Sequence, residues 1–225
     1  MVKDDFIKGA KDLSPILLGV LPFSMIVGVT AVNIGIPQLQ AIAMSIIIFA
    51  GASQLAAIEL MSKTAPIVVV VLTALVVNLR FTMYSASLAP YFGELNTFWK
   101  GLCAYILSDQ AYAVSITEFR SRKNNKMWYY VGAAFTLWLT WQIGTILGVM
   151  VGSSLPQGLS LEFAVPLTFM ALLFPHLEER ASKFTALVAG IVAILAVGLP
   201  YNLGLITAAL IAMVSGAAAD WWWSR

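Results

Sequence analysis

Long apolar stretches alternate with short polar connectors along the whole chain. A bilayer core of about 30 Å needs roughly 17–25 apolar residues per crossing helix. Eight stretches are candidates: Leu13–Ile36, Leu39–Met61, Ala65–Tyr91, Trp99–Thr117, Met127–Val151, Leu161–Pro175, Phe184–Leu199 and Leu203–Trp223. The sixth and seventh are short and could be broken or re-entrant. The pattern predicts an all-α polytopic membrane protein with about eight hydrophobic segments.

Composition supports a lipid environment. Hydrophobic residues make up 60% of the chain and charged residues 11%, whereas soluble domains are about 45–50% apolar and about 25% charged. These values exclude a soluble enzyme or binding module and predict the lipid bilayer as a partner. The basic residues form no stripe, so we expect no nucleic-acid binding. No polar linker divides the chain, which predicts one transmembrane transporter domain over residues 1–225.

The positions of Lys and Arg predict the orientation, because cytoplasmic connectors are enriched in both. With the N-terminal lysines in the cytoplasm, the basic connectors at Arg120–Lys126 and at Arg180 and Lys183 also fall inside. Only Lys100 breaks the alternation. Eight crossings with both termini cytoplasmic are therefore expected.

Polar residues inside apolar segments are costly and often mark a transport path. In the second segment, Phe49–Glu59 contains the small residues Gly51 to Ser53, followed by Gln54 near mid-membrane. Ser53 and Gln54 are candidate substrate contacts. The alternative is helix packing through small residues with an interhelical hydrogen bond, or a break in this helix.

The third and fourth segments each carry a charged residue at similar membrane depth, Arg80 and Asp109. An Arg in lipid costs a few kcal/mol even on lenient scales, so it needs a partner. We expect the two to be coupled, directly or through water. The pair is either a structural ion pair or a site where Arg80 binds a substrate carboxylate and Asp109 takes up a proton.

Four neighbouring polar residues complete the candidate site. Asn78 and Tyr84 flank Arg80, and Gln110 follows Asp109. Gln142 in the fifth segment could line the same path or serve packing. Cys103 is the only cysteine and is expected to be a small buried hydrophobe. The sequence shows no metal-ligand cluster and no nucleotide-binding fingerprint, so no metal and no cofactor are expected.

Prolines at 22, 66, 166, 175 and 200 interrupt apolar runs, and broken helices at membrane depth are tolerated where they line a cavity. Leu21–Ser24 and Val165–Thr168 share a pattern of apolar residue, Pro, apolar residue and hydroxyl residue. They fall in segments predicted to run in opposite directions, which gives a weak hint of an inverted repeat.

Three motifs occur in order along the chain: F-A-G-A-S-Q at Phe49–Gln54, N-L-R-F-T-M-Y-S-A-S-L at Asn78–Leu88 and S-D-Q-A-Y-A at Ser108–Ala113, with S-P-I-L-L-G-V-L-P-F-S before them and L-P-Y-N-L-G-L after them. This set, which covers essentially the whole chain, resembles the AzlC family of branched-chain amino-acid exporters. The resemblance implies a multi-pass exporter of apolar L-amino acids in a bacterial plasma (inner) membrane. It also implies coupling to the proton gradient and a small AzlD-type membrane subunit as partner.

Two positions depart from the family pattern. Phe81 stands where the family commonly has His, and Gln110 stands where it commonly has Glu. Both changes remove titratable groups beside the proposed site, so proton coupling would rest on Asp109.

An intramembrane enzyme and a passive channel subunit are the alternatives to a secondary transporter. An intramembrane enzyme is suggested by Gly51–Ser53, which is similar to the nucleophile region of rhomboid-type serine proteases. Such an enzyme needs a membrane-embedded base, and the only histidine, His176, is at a predicted cytoplasmic end. A passive channel subunit would show a polar ring or a carbonyl filter, and neither is found. We therefore expect a transporter and no enzymatic activity.

Overall fold

The computed structural model describes residues 2–121, 125–154, 177, 179–199 and 203–223. This part of the chain is helical and contains no strand. Its helices are α1 Val2–Leu13, α2 Leu17–Asn33, α3 Gln38–Ile48, α4 Gly51–Ser62, α5 Ile67–Asn78, α6 Arg80–Leu88, α7 Thr97–Tyr105, α8 Asp109–Ser121, α9 Lys126–Ser154, α10 Arg180–Leu195 and α11 Leu203–Trp223. Single 3-10 turns occur at Ser14–Ile16 and Ala89–Tyr91.

The chain divides into two compact units. The first contains Met1–Ile58 and Val77–Leu159, and the second contains Glu59–Val76 and Ser160–Arg225. The single transporter domain over residues 1–225 stays a prediction. The sixth hydrophobic segment, His176 and the Pro166 half of the repeat pattern lie outside the described residues.

Four helical stretches among the described residues are long and apolar enough to cross a membrane. They are Val2–Asn33, Ile67–Tyr91, Lys126–Ser154 and Leu203–Trp223. The first of them starts earlier than the sequence predicts, because the polar N-terminal residues form α1 and lead through one 3-10 turn into α2. These stretches confirm the prediction of an all-α protein with several candidate membrane spans.

In the first unit, α9 is the central helix, and α1 and α2 pack along it in parallel. Glycines on α9 face α1 and α2 in chain order: Gly132 meets Phe6, Gly144 meets Ser24, and Gly148 meets Met25. A Cβ at any of these glycines would run into the opposing helix. Small residues at this spacing let the backbones of membrane helices approach closely. The contact fixes α2 against the central helix.

Besides a one-residue interruption at Leu79 between α5 and α6, two apolar segments break among the described residues, and neither break contains a proline. The second segment ends α3 at Ile48 and restarts as α4 at Gly51, with Phe49 in the left-handed region at φ 36°. The fourth segment breaks at Ile106–Ser108, between α7 and α8. By contrast, α2 continues through Pro22. The expectation that prolines mark the broken helices is wrong for Pro22, and the breaks lie instead at Phe49–Ala50 and Ile106–Ser108.

Helices α7 and α8 form a re-entrant hairpin. The start of α7 lies beside the start of α9, since the Trp99 and Trp128 rings are 5.6 Å apart. The end of α8 returns to the same place, since Phe119 lies 5.1 Å from Tyr91 and 6.3 Å from Tyr129. The fourth segment therefore starts and ends beside the same end of α9, as two short helices and not as the single crossing helix that the sequence predicts.

The N-terminal helix meets the hairpin at this same end. Lys8 of α1 pairs with Glu118 of α8, and the Tyr129 hydroxyl donates to Asp12 at 2.8 Å. Lys100 belongs to the first turn of α7, next to Trp99. We call this end of the first unit the basic end, defined by Lys3, Lys8, Lys11, Lys100 and Lys126. Lys100 is no longer an exception to the charge distribution.

In the second unit, α10 and α11 form an antiparallel helix pair. Gly204 lies against Ala196, and Gly216 lies against Thr185. The rings of Phe184 and Trp223 are 5.8 Å apart. The glycines again allow close approach of two apolar helices.

Candidate functional site

Three helices of the first unit begin at candidate site residues. Helix α4 starts at Gly51, α6 starts at Arg80, and α8 starts at Asp109. Ser108 caps α8, because its hydroxyl accepts a hydrogen bond from the Ala111 N–H at 3.3 Å. Helix N-termini carry unpaired N–H groups and favour negative charge, which stabilises the Asp109 carboxylate in the first turn.

Arg80 and Asp109 form the ion pair that the sequence predicts. The Nη1 atom of Arg80 lies 3.2 Å from Oδ2 of Asp109, and about a third of each side chain is exposed, 30% and 35%. The pair joins α6 to the hairpin break. Neither side chain is therefore fully buried.

Aromatic rings surround this pair. The Arg80 guanidinium lies 5.2 Å from the Phe81 ring centre, a geometry in which the ring face attracts the cation. The Tyr84 hydroxyl is close enough to interact with both Asp109 and Arg80. The Tyr84 ring lies 6.0 Å from that of Phe81, beside the charged pair, and its part in binding stays a prediction.

Tyr112 is a site residue that the sequence reasoning missed. Its ring stacks on Tyr84 at 4.4 Å with an interplanar angle of 15°, and its hydroxyl contacts Ser87 at 3.0 Å. Tyr112 lies one helical turn after Asp109, so the two side chains share a face of α8. This spacing from a carboxylate in an apolar segment is the sequence signal that could have identified Tyr112. Stacking orients Tyr84 toward the charged pair.

Several polar atoms at this site are buried without a hydrogen-bond partner in the described part of the chain. They are Oδ1 of Asn78, Nε of Arg80 and Oδ1 of Asp109. A buried unpaired polar atom costs about 1–3 kcal/mol. Native structures keep few such atoms, and those that persist mark functional strain or a binding site. Asn78 lies two residues before Arg80, so all three atoms belong to one region.

The break between α3 and α4 has a different arrangement. Other helices bond to carbonyls at the end of α3: the Tyr105 hydroxyl donates to Ile46 O at 2.8 Å. Ser45 O, which already accepts from the Phe49 N–H at 3.2 Å, is also approached by Gln142 Nε2 at 3.4 Å. Ser53 donates to the carbonyl of Ala50 at 3.0 Å. These bonds let an irregular backbone exist inside apolar surroundings.

This break also holds unpaired polar atoms. Oε1 of Gln54, Oε1 of Gln142 and Nε1 of Trp141 are buried with no hydrogen-bond partner among the described residues. Gln54 is only 1% exposed, and the Trp141 ring packs against Gly51 at the start of α4. Among the described residues, Gln54 Oε1 accepts no hydrogen bond from another helix, although such a bond was the packing alternative expected for this side chain. Gln142 does bond to α3, through its Nε2 atom.

Tyr105 connects the two breaks, and the sequence reasoning missed it as well. It belongs to α7 just before the second break, yet its hydroxyl reaches Ile46 at the end of α3. Trp138 of α9 donates to the same hydroxyl at 3.1 Å, and the Phe49 ring centre lies 6.4 Å away. A tyrosine far from a predicted membrane interface is the sequence signal for such a hydrogen-bonded contact.

The structure thus sorts the eight predicted residues into two groups. Asn78, Arg80, Tyr84 and Asp109 gather at the start of α6 and α8, with the half-buried Gln110 beside Asp109. Ser53, Gln54 and Gln142 lie at the α3–α4 break. The described residues contain no group of three or more His, Cys, Asp or Glu that could hold a metal ion.

The described residues thus define a helical membrane protein with interrupted helices and an ion pair beside one of the breaks. The profile of the AzlC protein family matches residues 15–155. The chain therefore belongs to the AzlC family, as the sequence motifs indicate.

Curated relatives agree with this assignment. The chain is similar to the inner membrane protein YgaZ of Escherichia coli, with 29% identity over 79% of this chain and 75% of that protein. It is 32% identical to an uncharacterized membrane protein of Archaeoglobus fulgidus, over 78% of this chain and 77% of that protein. A Helicobacter pylori membrane protein is 29% identical over 87% of both chains. No solved structure matches the chain significantly.

Proposed function

We propose that this protein is a secondary transporter that exports branched-chain and similar apolar L-amino acids across the bacterial plasma membrane. The Arg80–Asp109 pair carries the proposal, because two opposite charges meet at 3.2 Å where two helices begin. Each partner keeps one buried polar atom without a hydrogen-bond partner among the described residues. A zwitterionic amino acid offers a carboxylate for Arg80 and an ammonium group for Asp109.

The ion pair provides a coupling step. The substrate ammonium group and a proton compete for the Asp109 carboxylate, because protonation removes the negative charge that binds the ammonium group. Protonation of Asp109 from outside would release the amino acid there, and loss of that proton to the cytoplasm would restore the carboxylate for the next substrate. Because Phe81 and Gln110 carry no titratable group, the coupling in this chain rests on Asp109.

The second group of residues would shape the rest of the path. The proposed role of Gln54 and Gln142 is to present their unpaired oxygens to the substrate ammonium group, while Trp141 and its neighbours receive the apolar side chain. Broken helices near mid-membrane supply such polar contacts in secondary transporters. A small AzlD-type membrane subunit is proposed as the partner on the basis of the family.

The proposed orientation places the basic end in the cytoplasm. The lysines of α1, Lys100 and Lys126 meet there, whereas the connector between α2 and α3 at the opposite end has no Lys or Arg. Because the fourth segment does not cross, cytoplasmic termini require an even number of crossings among the other seven. At least one further segment must then be re-entrant. The inverted repeat remains a prediction.

Transport is favoured over an intramembrane protease. The Ser53 side chain is fully buried, and its hydroxyl donates to the Ala50 carbonyl at 3.0 Å. A serine nucleophile instead donates to a general base. We therefore propose no catalytic role for this residue.

The proposal is tested by measuring export of labelled leucine, valine and methionine from cells fed dipeptides. The wild type and Arg80→Ala are each co-expressed with the proposed partner, the small AzlD-type membrane subunit. Lys63→Ala serves as a charge-matched control, since Lys63 pairs with Glu59 at an exposed position. We expect export by the wild type and the control, and loss in Arg80→Ala at equal membrane abundance. No export of any amino acid by the wild type would refute the proposal.

A further inference from the structure

A cavity of about 420 Å³ lies at the basic end of the first unit, between α6, α7 and α9. Its buried floor consists of Leu88, Phe92, Cys103, Leu107 and Tyr130. A volume of this size falls in the range of small-ligand pockets, which is about 300–1,000 Å³. The cavity accommodates a small apolar molecule.

The polar chemistry of the cavity is concentrated at its rim. Lys100 lines the rim and is exposed, and its ammonium group donates to the Gly93 carbonyl at 2.9 Å. An ammonium group has three donors, so two remain for another acceptor. The Tyr130 hydroxyl on the floor is already used, since it donates to Cys103 O at 2.7 Å. The lining contains no carboxylate. A fixed cation above an apolar floor selects a carboxylate with an apolar tail.

The cavity also leads toward the charged pair. Leu107 lies within the break of the re-entrant hairpin, two residues before Asp109, and Ser85 lies on α6, which begins at Arg80. A ligand in the cavity would therefore lie between the basic end and the Arg80–Asp109 pair.

We propose that this cavity is a first binding site for the transported molecule, in which Lys100 holds the carboxylate and the floor holds the apolar side chain. The ligand class is a small carboxylate with a branched apolar tail. Its identification as an amino acid rests on the proposed export function. The site would load the transporter from the basic end before the substrate reaches Arg80.

The single cysteine of the chain makes the cavity testable without engineering. Purified protein is alkylated with N-ethylmaleimide, and the modification of Cys103 is followed by intact mass. Leucine at ten times its Kd should slow the reaction about tenfold, because only the ligand-free fraction reacts. The des-amino analogue 4-methylpentanoate should also protect, whereas leucinol, which lacks the carboxylate, should not.

Variants of the two lysines separate Lys100 from general charge effects. Lys100→Gln should weaken protection by leucine about tenfold, as expected for loss of a charge-assisted hydrogen bond. Lys63→Gln, at a residue outside the cavity, should leave protection unchanged. Equal protection of wild type and Lys100→Gln, or protection by leucinol, would overturn the proposal. If Cys103 proves unreactive, the same experiment is read from Ala104→Cys on the exposed rim, in a Cys103→Ser background.

The outcomes also separate this inference from the export function. Export without protection by leucine would overturn the cavity site and leave the transporter standing. Protection by leucine without export would support the site and overturn the proposed function. If 4-methylpentanoate protects Cys103 and leucine does not, the cavity binds a carboxylate other than an amino acid. That result would overturn the role of the cavity in export.

Discussion

The Arg80–Asp109 pair should be coupled much more strongly than an ordinary surface ion pair. At 3.2 Å, two unit charges attract by about 5 kcal/mol at an effective dielectric constant of 20. Desolvation opposes this attraction, and the exposure of about a third of each side chain screens it. We expect a net coupling free energy of about 1–3 kcal/mol.

A double-mutant cycle of Arg80→Gln and Asp109→Asn measures this coupling by reversible unfolding in mixed detergent micelles. The matched control is the Glu59–Lys63 pair, which is closer, at 2.8 Å, but about half exposed, at 52% and 54%. For that pair we expect about 0.3–0.5 kcal/mol. A coupling at Arg80–Asp109 no larger than that of the control would refute the inference that the pair is electrostatically special.

The same variants carry a functional expectation. Each single substitution leaves one charge without its partner near mid-membrane, so export should be lost even where the protein remains folded. Asp109→Asn also removes the only proposed proton carrier. Export by Asp109→Asn comparable with that of the wild type would refute the coupling mechanism.

Three further perturbations follow from the helix arrangement. A cysteine introduced at Glu94, in a background without the native thiol, should react with an impermeant maleimide from the same side as the N-terminus; reaction from the opposite side would mean that the fourth segment crosses. Gly148→Ala should destabilise the protein by about 2 kcal/mol or more, because the new Cβ meets the backbone of α2 and helix backbones cannot yield cheaply. Gly101→Ala, with nothing within 4 Å of the new Cβ, is its control, and equal stability of the two variants would contradict the packing described. Gln54→Leu should raise stability by about 1 kcal/mol by removing an unpaired buried oxygen and at the same time abolish export; a variant that is both stable and active would show that Gln54 serves packing alone.

The sequence predicts the charged centre well because the physics there is simple. An isolated charge in lipid is so costly that Arg80 needs a partner, and Asp109 is the carboxylate at matching depth. The polar positions Gln54 and Asn78 stand out for the same reason. The aromatic residues Tyr105 and Tyr112 were missed because tyrosine is common in membrane helices and its partners are distant in sequence.

Helix direction was harder to predict than helix location. A re-entrant hairpin of two half-length helices has nearly the same apolar length as one crossing helix, so hydropathy cannot separate them. Two local signals were available in the fourth segment. Ser108 and Asp109 form a helix start inside an apolar run, and Lys100 violates the charge rule only if the segment crosses. The break at Phe49 has no comparable signal in the sequence, because a residue other than glycine rarely adopts the left-handed region.

The re-entrant hairpin also constrains the order in which the chain assembles during synthesis. Helix α7 has 9 residues and spans only about 14 Å, less than half the bilayer core. One of its terminal carbonyls is bonded by a later part of the chain, since Tyr130 of α9 donates to Cys103 O. Before α9 has been made, the hairpin would expose unpaired backbone to lipid. Residues 97–121 are therefore expected to remain at the membrane surface until α9 has been made, and to enter the bilayer together with it. In a nascent chain that stops before residue 126, these residues should be accessible to protease.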